Sequence, residues 1–361
     1  MLKNQLNITQ VKKISKIGWL TFTAFLLLFS TSTTAQEKKQ YQVSCVGFYN
    51  LENLFNTVDD PNRDEEYLPN GRNNWTMEKY NHKLENLSKV LEDLGKDVSP
   101  DGCAIIGVAE VENRGVLEDL VAQPKLKNRN YKIIHYDSPD RRGIDVGLLY
   151  QEKYFKVKKS ISYKLTFPDD TAYYTRDQLI VSGTLMGEDV NVIVAHWPSR
   201  RGGEQKSEPR RIQAAQLGRK IIDSLYNDNP NAKILYMGDL NDDPVNRSVM
   251  EYIKAKGKMA KVKKKEFFNP MWHFYKKGYG TLAWNDAWNL FDQIMVSKAF
   301  LNGTDYSTLS YYKAYVYRKP YLLQTEGRFK GYPLRTSAGG QYLGGYSDHL
   351  PVYIVLIKEK K

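Results

Sequence analysis

Apolar residues gather in short runs separated by polar segments, the pattern of strands buried in sheets that are covered on both faces. Residues 43–49 (VSCVGFY) predict the first strand, which runs straight into Asn50-Leu51-Glu52-Asn53. The stretch 59–74 is polar, holds Pro and Gly, and reads as a surface loop. At Met77 the period changes. Tyr80, Leu84, Leu87, Leu91 and Leu94 recur at spacings of four and three, which predicts a helix ending at a Gly95 C-cap. Residues 103–109 (CAIIGVA) are a second buried strand, closed by Glu110-Val111-Glu112-Asn113. Residues 131–136 and 146–150 predict a strand pair around the loop 137–145, which carries Arg141 and Arg142.

The second half repeats the theme. Residues 179–185 and 190–195 predict a hairpin, and its second strand runs into His196-Trp197-Pro198-Ser199 and the basic loop RRGGEQKSEPRR. A helix is expected after Pro209, with Ala214, Leu217, Ile221 and Leu225 on one face. The apolar run 234–237 stops at Gly238 and meets Asp239, Asn241, Asp242 and Asp243. That cluster is good turn chemistry, and it is equally what a metal or proton-transfer site needs, because carboxylates are costly to bury unpaired. Residues 290–296 form a strand that holds Asp292; a Tyr-rich stretch (311–321) and a Gly-rich loop (327–345) lead to Tyr346-Ser347-Asp348-His349, and 352–357 is the last strand. With no internal linker or repeat, one domain of alternating strands and helices is the economical reading.

The N-terminus stands apart from this pattern. Lys3, Lys12, Lys13 and Lys16 precede a short apolar stretch, 17–29, and Thr33-Thr34-Ala35 suits cleavage before Gln36. This predicts a signal peptide over 1–35, a folded domain over 36–361, and a secreted or periplasmic location. The apolar stretch is shorter than the roughly 20 residues that span a bilayer, so membrane attachment is expected only if the segment stays uncleaved. Those four lysines are the only charges in 1–35, so the net charge of +12 falls to +8 on cleavage. A basic surplus suits an anionic partner such as nucleic acid, and serves solubility equally well. Cys45 and Cys103 are compatible with one disulfide or with two buried thiols. Seven lysines crowd residues 254–265, either as a solvated face or as a phosphate-contacting patch.

Strand ends converge in sheet proteins, and here they bring Asn50, Glu110, His196, Asp239 and Asn241, with Asp292 and Asp348-His349 nearby. Six such coincidences are hard to explain as turns. Oxygen ligands without a cysteine or histidine triad point to Mg²⁺ or a similar hard ion (Mn²⁺ or Ca²⁺) and away from zinc. The absence of HExxH, GxSxG and GxxxxGK[ST] disfavours zinc proteolysis, serine-esterase geometry and P-loop chemistry. Two histidines and an ionisable aspartate beside a hard cation suit hydrolysis of a phosphate ester.

NLEN at 50–53, AEVEN at 109–113, AHWPSR at 195–200, GDLND at 238–242, FDQIMVS at 291–297 and SDHLP at 347–351 together resemble the endonuclease/exonuclease/phosphatase family, the deoxyribonuclease I-like proteins, and in particular a secreted bacterial-type member. The resemblance spans nearly all of the chain after 1–35. It implies an α/β (α+β) fold, a four-layer α-β-β-α sandwich of two packed mixed sheets with the site at one rim. It also implies roles: Glu110, Asn50 and Asp348 on the metal side; Asp239 orienting or deprotonating the attacking water with Asn241 as its partner; His349 beside the phosphate, oriented by Asp292; and His196 as the second histidine. Arg176 resembles a phosphate-contacting arginine, and Asp145 a residue orienting His196. The expected activity is that of an Mg²⁺-dependent endonuclease cleaving phosphodiesters in DNA first and RNA second, by a monomer without a stable protein partner. The alternatives are a phosphodiesterase or phosphatase for lipid head groups or small phosphates, and a non-catalytic binding protein on the same scaffold.

Overall fold

The apolar runs become strands of two sheets packed face to face. The structure, a computed structural model, describes residues 39–303 and 305–360. The segment expected to be a signal peptide lies outside the described residues, and from Gln40 onward the chain forms one compact unit. In chain order the strands are β1 Tyr41–Leu54, β2 Cys103–Val111, β3 Tyr131–His135, β4 Asp145–Gln151, β5 Phe155–Tyr163, β6 Gln178–Leu185, β7 Glu188–His196, β8 Lys233–Asp239, β9 Ala255–Lys256 and β10 Phe267–Phe268. They continue as β11 Leu282–Trp284, β12 Ala287–Asn289, β13 Asp292–Ser297, β14 Ser310–Val316, β15 Ser337–Ala338, β16 Gln341–Tyr342 and β17 Val352–Glu359. The α-helices are α1 Met77–Asp93, α2 Arg114–Val121, α3 Pro124–Lys127, α4 Glu204–Asp228 and α5 Met271–Lys276.

One sheet has the order β14-β17-β1-β2-β4-β3 and the other β5-β6-β7-β8-β13-β10-β9. Both are mixed: β1 runs parallel to β2 and β7 parallel to β8, whereas β17 and β13 run antiparallel to β1 and β8. Successive side chains on a strand face opposite ways. Val46, Phe48 and Ile105 of the first sheet therefore meet Val194, Leu235, Met237 and Ile294 of the second in a core between the sheets. The other faces carry Tyr49, Ile106 and Val108, packed under Leu84, Leu87 and Leu91 of α1, and Ile193, Ile234 and Tyr236, packed under Ala214, Ala215 and Ile222 of α4. These are the expected layers, helix, sheet, sheet, helix. Each fully buried aliphatic or aromatic side chain contributes roughly 1.5–3 kcal/mol relative to exposure.

Several elements differ from the sequence reading, and three of them show why. β5 was not anticipated, because Lys159 stands where the alternation of Phe155, Val157, Ile161 and Tyr163 calls for an apolar residue; it is an edge strand, where charge is tolerated and discourages pairing with other chains. α4 begins at Glu204 and passes through Pro209, which lies near its start and removes only an early backbone bond. Its first turns are tied down from outside: Arg211 pairs with Asp242 at 2.7 Å and Arg200 with Glu204 at 3.1 Å. The hairpin β11-β12 is the third, and it abuts the site through a bridge between Leu282 and His349. Cys45 and Cys103 are register partners on β1 and β2 and are joined by a disulfide. Among the described residues no helix is long and apolar enough to cross a membrane.

Candidate active site

Parallel pairing of β7 with β8 sets His196 opposite Asp239, and antiparallel pairing of β8 with β13 sets Asp292 opposite Asp239 on the other side. Gly238 allows the first of these pairings: a Cβ there would lie 1.9 Å from the Ala195 carbonyl oxygen. The Asp239 carboxylate is the hub. Its Oδ1 accepts from the Asn241 backbone N–H (3.0 Å), and its Oδ2 accepts from Asn50 Nδ2 (3.0 Å), a bond that joins the rims of the two sheets. Oδ2 also lies 3.5 Å from His196 Nε2 and 3.7 Å from His349 Nε2. His349 Nδ1 meets Asp292 Oδ2 at 2.7 Å, which leaves Nε2 as the ring atom turned toward Asp239. Asn241 adopts φ +49°, and its Nδ2 donates to the Trp197 carbonyl (3.0 Å).

Glu110 reaches this hub through a break in the ladder. The register with β1 and with β4 shifts across Ala109 and Val111, so Glu110 is the unpaired residue of a β-bulge. Its φ is +60°. Bulges re-aim side chains, and left-handed backbone at a non-glycine residue costs on the order of 1–3 kcal/mol, a strain that clusters at functional sites. The facing part of β1 is bulged as well: Glu52 and Asn53 have φ of 49° and 50°, and the Asn53 N–H donates to Glu110 Oε2 at 3.0 Å. The other oxygen, Oε1, lies 3.9 Å from His196 Nε2.

Burial dominates the electrostatics. It raises the Asp239 carboxyl to about 7; the His349 charge opposes this, and the nearby Asp292 and Glu110 carboxylates add to it. His196 is pushed well below its usual value by burial, then by Arg176, Arg142 and His349. Burial acts on His349 in the same sense, but Asp292 and Asp239 outweigh it and hold the imidazole well above its ordinary range. The two histidines are thus driven apart, one neutral and one cationic.

Asp348 lies next to this cluster and is engaged by an arginine. Its Oδ2 pairs with Arg335, whose Nε lies 3.7 Å from Glu52. Behind them Lys83, fully buried on α1, donates to Thr336 Oγ1, and Thr336 N donates to Glu52 at 2.6 Å. Glu52, Lys83 and Arg335 were not singled out from the sequence. Lys83 had a signal, a charge within the apolar stripe of Tyr80, Leu84 and Leu87. Trp197 was also passed over; its carbonyl accepts from Asn241 and Arg176 and its N–H donates to Asp239 O.

Two expected contacts have other partners. Asp145, expected to orient His196, instead accepts from His135 Nε2 (3.0 Å) and Ser138 N (2.8 Å), and His196 Nδ1 is buried without a partner. The β3-β4 pairing is the reason, since it sets His135 opposite Gly147 and so within reach of Asp145. Arg176 is buried and bonded to Asp140 (3.1 Å) and Trp197 O (2.5 Å), so its charge reaches His196 through space. Arg200 is likewise taken up by Asp242 and Asp243. The lysine-rich segment leads into β10, which pairs with Val296 and Ser297, the end of β13 away from Asp292 by roughly 13 Å or more.

The residues fit a hard divalent cation. One ligand atom each from Glu110, His196 and Asp239 lie within 4.8 Å of one another, as do atoms from Asp239, Asp292 and His349. A carboxyl whose proton is held to about 7 by burial, and further by the neighbouring Asp292 and Glu110 carboxylates, gains much from a positive charge beside it.

Comparison with known proteins identifies the fold and the family. No curated protein matches the sequence. Among solved structures, truncated *Caenorhabditis elegans* TDP2 is similar with a TM-score of 0.52 at 17% identity, over 87% of this chain and 97% of that one. *D. rerio* TDP2 complexed with single strand DNA product is similar with a TM-score of 0.51 at 12% identity, over 87% and 99%. An endonuclease/exonuclease/phosphatase family protein from *Bacteroides thetaiotaomicron* gives 0.50 at 16% identity, over 89% and 97%. At these identities the likeness is one of fold. A sequence profile of the Endonuclease/Exonuclease/phosphatase family matches residues 45–358. The chain therefore belongs to the endonuclease/exonuclease/phosphatase family and is a metal-dependent phosphoric ester hydrolase.

Proposed function

We propose that the protein is a secreted, Mg²⁺-dependent nuclease that hydrolyses phosphodiester bonds of DNA, or of RNA, by attack of water in line with the leaving oxygen. The observation that carries this reading is the position of Asp239, between a neutral histidine, a cationic histidine and the bulged Glu110. Glu110 and Asn50 would hold the ion, with Asp348 alongside. When bound, the ion neutralises nonbridging phosphate oxygens and acidifies water.

The chain's own groups divide the remaining work. Asp239, its two oxygens fixed by Asn50 and Asn241, orients the attacking water and takes its proton. One amide hydrogen of Asn241 goes to the Trp197 carbonyl, which fixes the side chain and leaves its oxygen to accept from that water. His349, charged and steadied by Asp292, donates from Nε2 to a phosphate oxygen. His196 is held neutral, which suits hydrogen bonding to phosphate more than storage of a proton for the leaving group.

A nucleic acid substrate is supported by the net charge of +8 after removal of 1–35 and by the exposed Arg142 and Arg201. The single strand DNA product in the *D. rerio* TDP2 complex is consistent with it. Secretion is supported by the basic-then-apolar N-terminus and by the Cys45–Cys103 disulfide, a bond that persists in oxidising compartments. One observation favours small phosphate esters instead: a polar cavity of about 280 Å³ beside the hub, lined by Glu52, Asn53, Tyr67, Arg72, Arg335 and Asp348. Plasmid DNA, RNA, sphingomyelin and p-nitrophenyl phosphate, each assayed with and without EDTA, separate the two. DNA cleavage that EDTA abolishes and added salt weakens steeply is expected. Salt-insensitive release of phosphocholine or inorganic phosphate, with DNA left intact, would replace the nuclease by the small-ester reading.

A further inference from the structure

Asp348 faces two neighbourhoods. Its Oδ1 lies 4.0 Å from His349 Nε2, at the edge of the hub, while its Oδ2 is paired with Arg335. Arg335 turns its Nε toward Glu52 Oε1 at 3.7 Å, and the other Glu52 oxygen accepts from Thr336 N at 2.6 Å. Lys83 completes the group from α1: it is fully buried, donates to Thr336 Oγ1, and its charge acts on both carboxylates. Two anions and two cations therefore share one largely buried cluster. Arg335 is no loose surface side chain. Backbone bonds fix the chain on both sides of it, Leu334 N to Leu322 O (2.7 Å) and Thr336 N to Glu52. Gly345 lets the returning chain lie against it, since a Cβ there would collide with the Leu334 and Arg335 carbonyl oxygens.

Buried carboxylates need a positive partner, and a second divalent ion is one way to supply it. Here the chain supplies it. Among the described residues, the ligand atoms that converge within 4.8 Å at the rim belong to Glu110, His196 and Asp239 or to Asp239, Asp292 and His349. Neither set includes Asp348 or Glu52. We propose that the Arg335 guanidinium, backed by Lys83, fills the place of a second cation, so that the centre takes one ion, on the Glu110 side, and Asp348 does not ligate it. A guanidinium suits this task because it stays charged at any working pH and its planar fork fixes a carboxylate in place. Asp348 is then a positioning residue, its charge taken up by Arg335 rather than by metal. The inference rests on the metal reading of the hub and is independent of which ester is cleaved.

The test counts Mn²⁺ bound to the full protein, stripped with EDTA, by equilibrium dialysis and electron paramagnetic resonance, and needs no substrate. Wild type should bind one Mn²⁺ per chain at saturation, and Glu110→Gln should bind it roughly 100-fold more weakly. Exchanging the pair together, Arg335→Gln with Asp348→Asn, leaves the net charge unchanged and should shift the affinity by less than about threefold. Arg335→Gln alone frees the Asp348 carboxylate, and should tighten Mn²⁺ binding roughly tenfold or admit a second ion. Two ions on wild type overturn the proposal, as does a loss of roughly tenfold or more in the paired variant. Arg335→Gln that still binds one ion with the wild-type affinity overturns it too, and decides the matter should the paired variant fail to fold. Wild type that binds no Mn²⁺ overturns the metal reading of the hub, and this proposal with it.

Discussion

Asp239 is acidic by type and nearly neutral by setting, and this sets its coupling to metal. In the metal-free protein burial holds its proton up to about 7. An ion held by Glu110 and Asn50 beside it favours the ionised carboxylate, so below that pH binding must expel the proton and above it need not. Mn²⁺ affinity should therefore rise about tenfold per pH unit up to near 7 and then level off, read by titration between about pH 5.5 and 8.5. Asp292 works one residue further back, through His349. Removing its charge in Asp292→Asn lets burial lower the imidazole. The kcat should fall roughly 10- to 100-fold, and the alkaline limb of the rate profile should move to lower pH. That displacement separates positioning of His349 from a general loss of fold. Asp239, His196 and His349 were legible in the sequence because each borders an apolar run. The partner of Asp145 was not, since it depends on how β3 registers with β4. Arg335 lay in a Gly-rich loop whose path no local pattern predicts.

At the scale of elements, the site is a product of strand pairing and of two deliberate failures of pairing. His196 and Asp239 face each other because β7 and β8 approach closely, which Gly238 permits. In Gly238→Ala the added Cβ must displace the Ala195 carbonyl. The expected cost is roughly 1–3 kcal/mol, about 2–4 °C in melting temperature per kcal/mol, together with loss of activity because two site residues ride on that pair. Scanning calorimetry and an activity assay on the same preparation check both. Most strands were readable from their apolar runs, since a strand buried on both faces has little else to be. The bulges were not, because a bulge leaves no composition signal beyond the NLEN and AEVEN strings that it displays. α2 and α3 went unseen because they are short, and the hairpin β11-β12 because Trp284 and Ala287 flank a tip with no apolar alternation.

Across the whole molecule, two mixed sheets carry the ends of β1, β2, β7 and β8 and the start of β13 to one rim, and the Asn50–Asp239 bond closes the gap between the sheets. Fold class and site location follow from that convergence, which the order of the motifs already implied. Charge is the part that position along the chain describes least well. Arg176 and Arg200 look available in the sequence but are neutralised by Asp140, Asp242 and Asp243, and the lysine-rich segment sits away from the rim. Any steering of DNA therefore falls to exposed arginines such as Arg142 and Arg201 and to the general basic surplus. Substituting both with Ala should weaken DNA binding and lower the slope of log affinity against log salt by roughly 1–2, measured by fluorescence anisotropy at several salt concentrations. The most direct test of the central claim is the initial rate of plasmid DNA cleavage as a function of Mg²⁺, for wild type and Asp239→Asn. The rate should be nil in EDTA, rise to saturation with Mg²⁺, and fall by roughly 10³-fold or more in Asp239→Asn. A wild-type rate that EDTA leaves unchanged, or an Asp239→Asn variant as active as wild type, would contradict it.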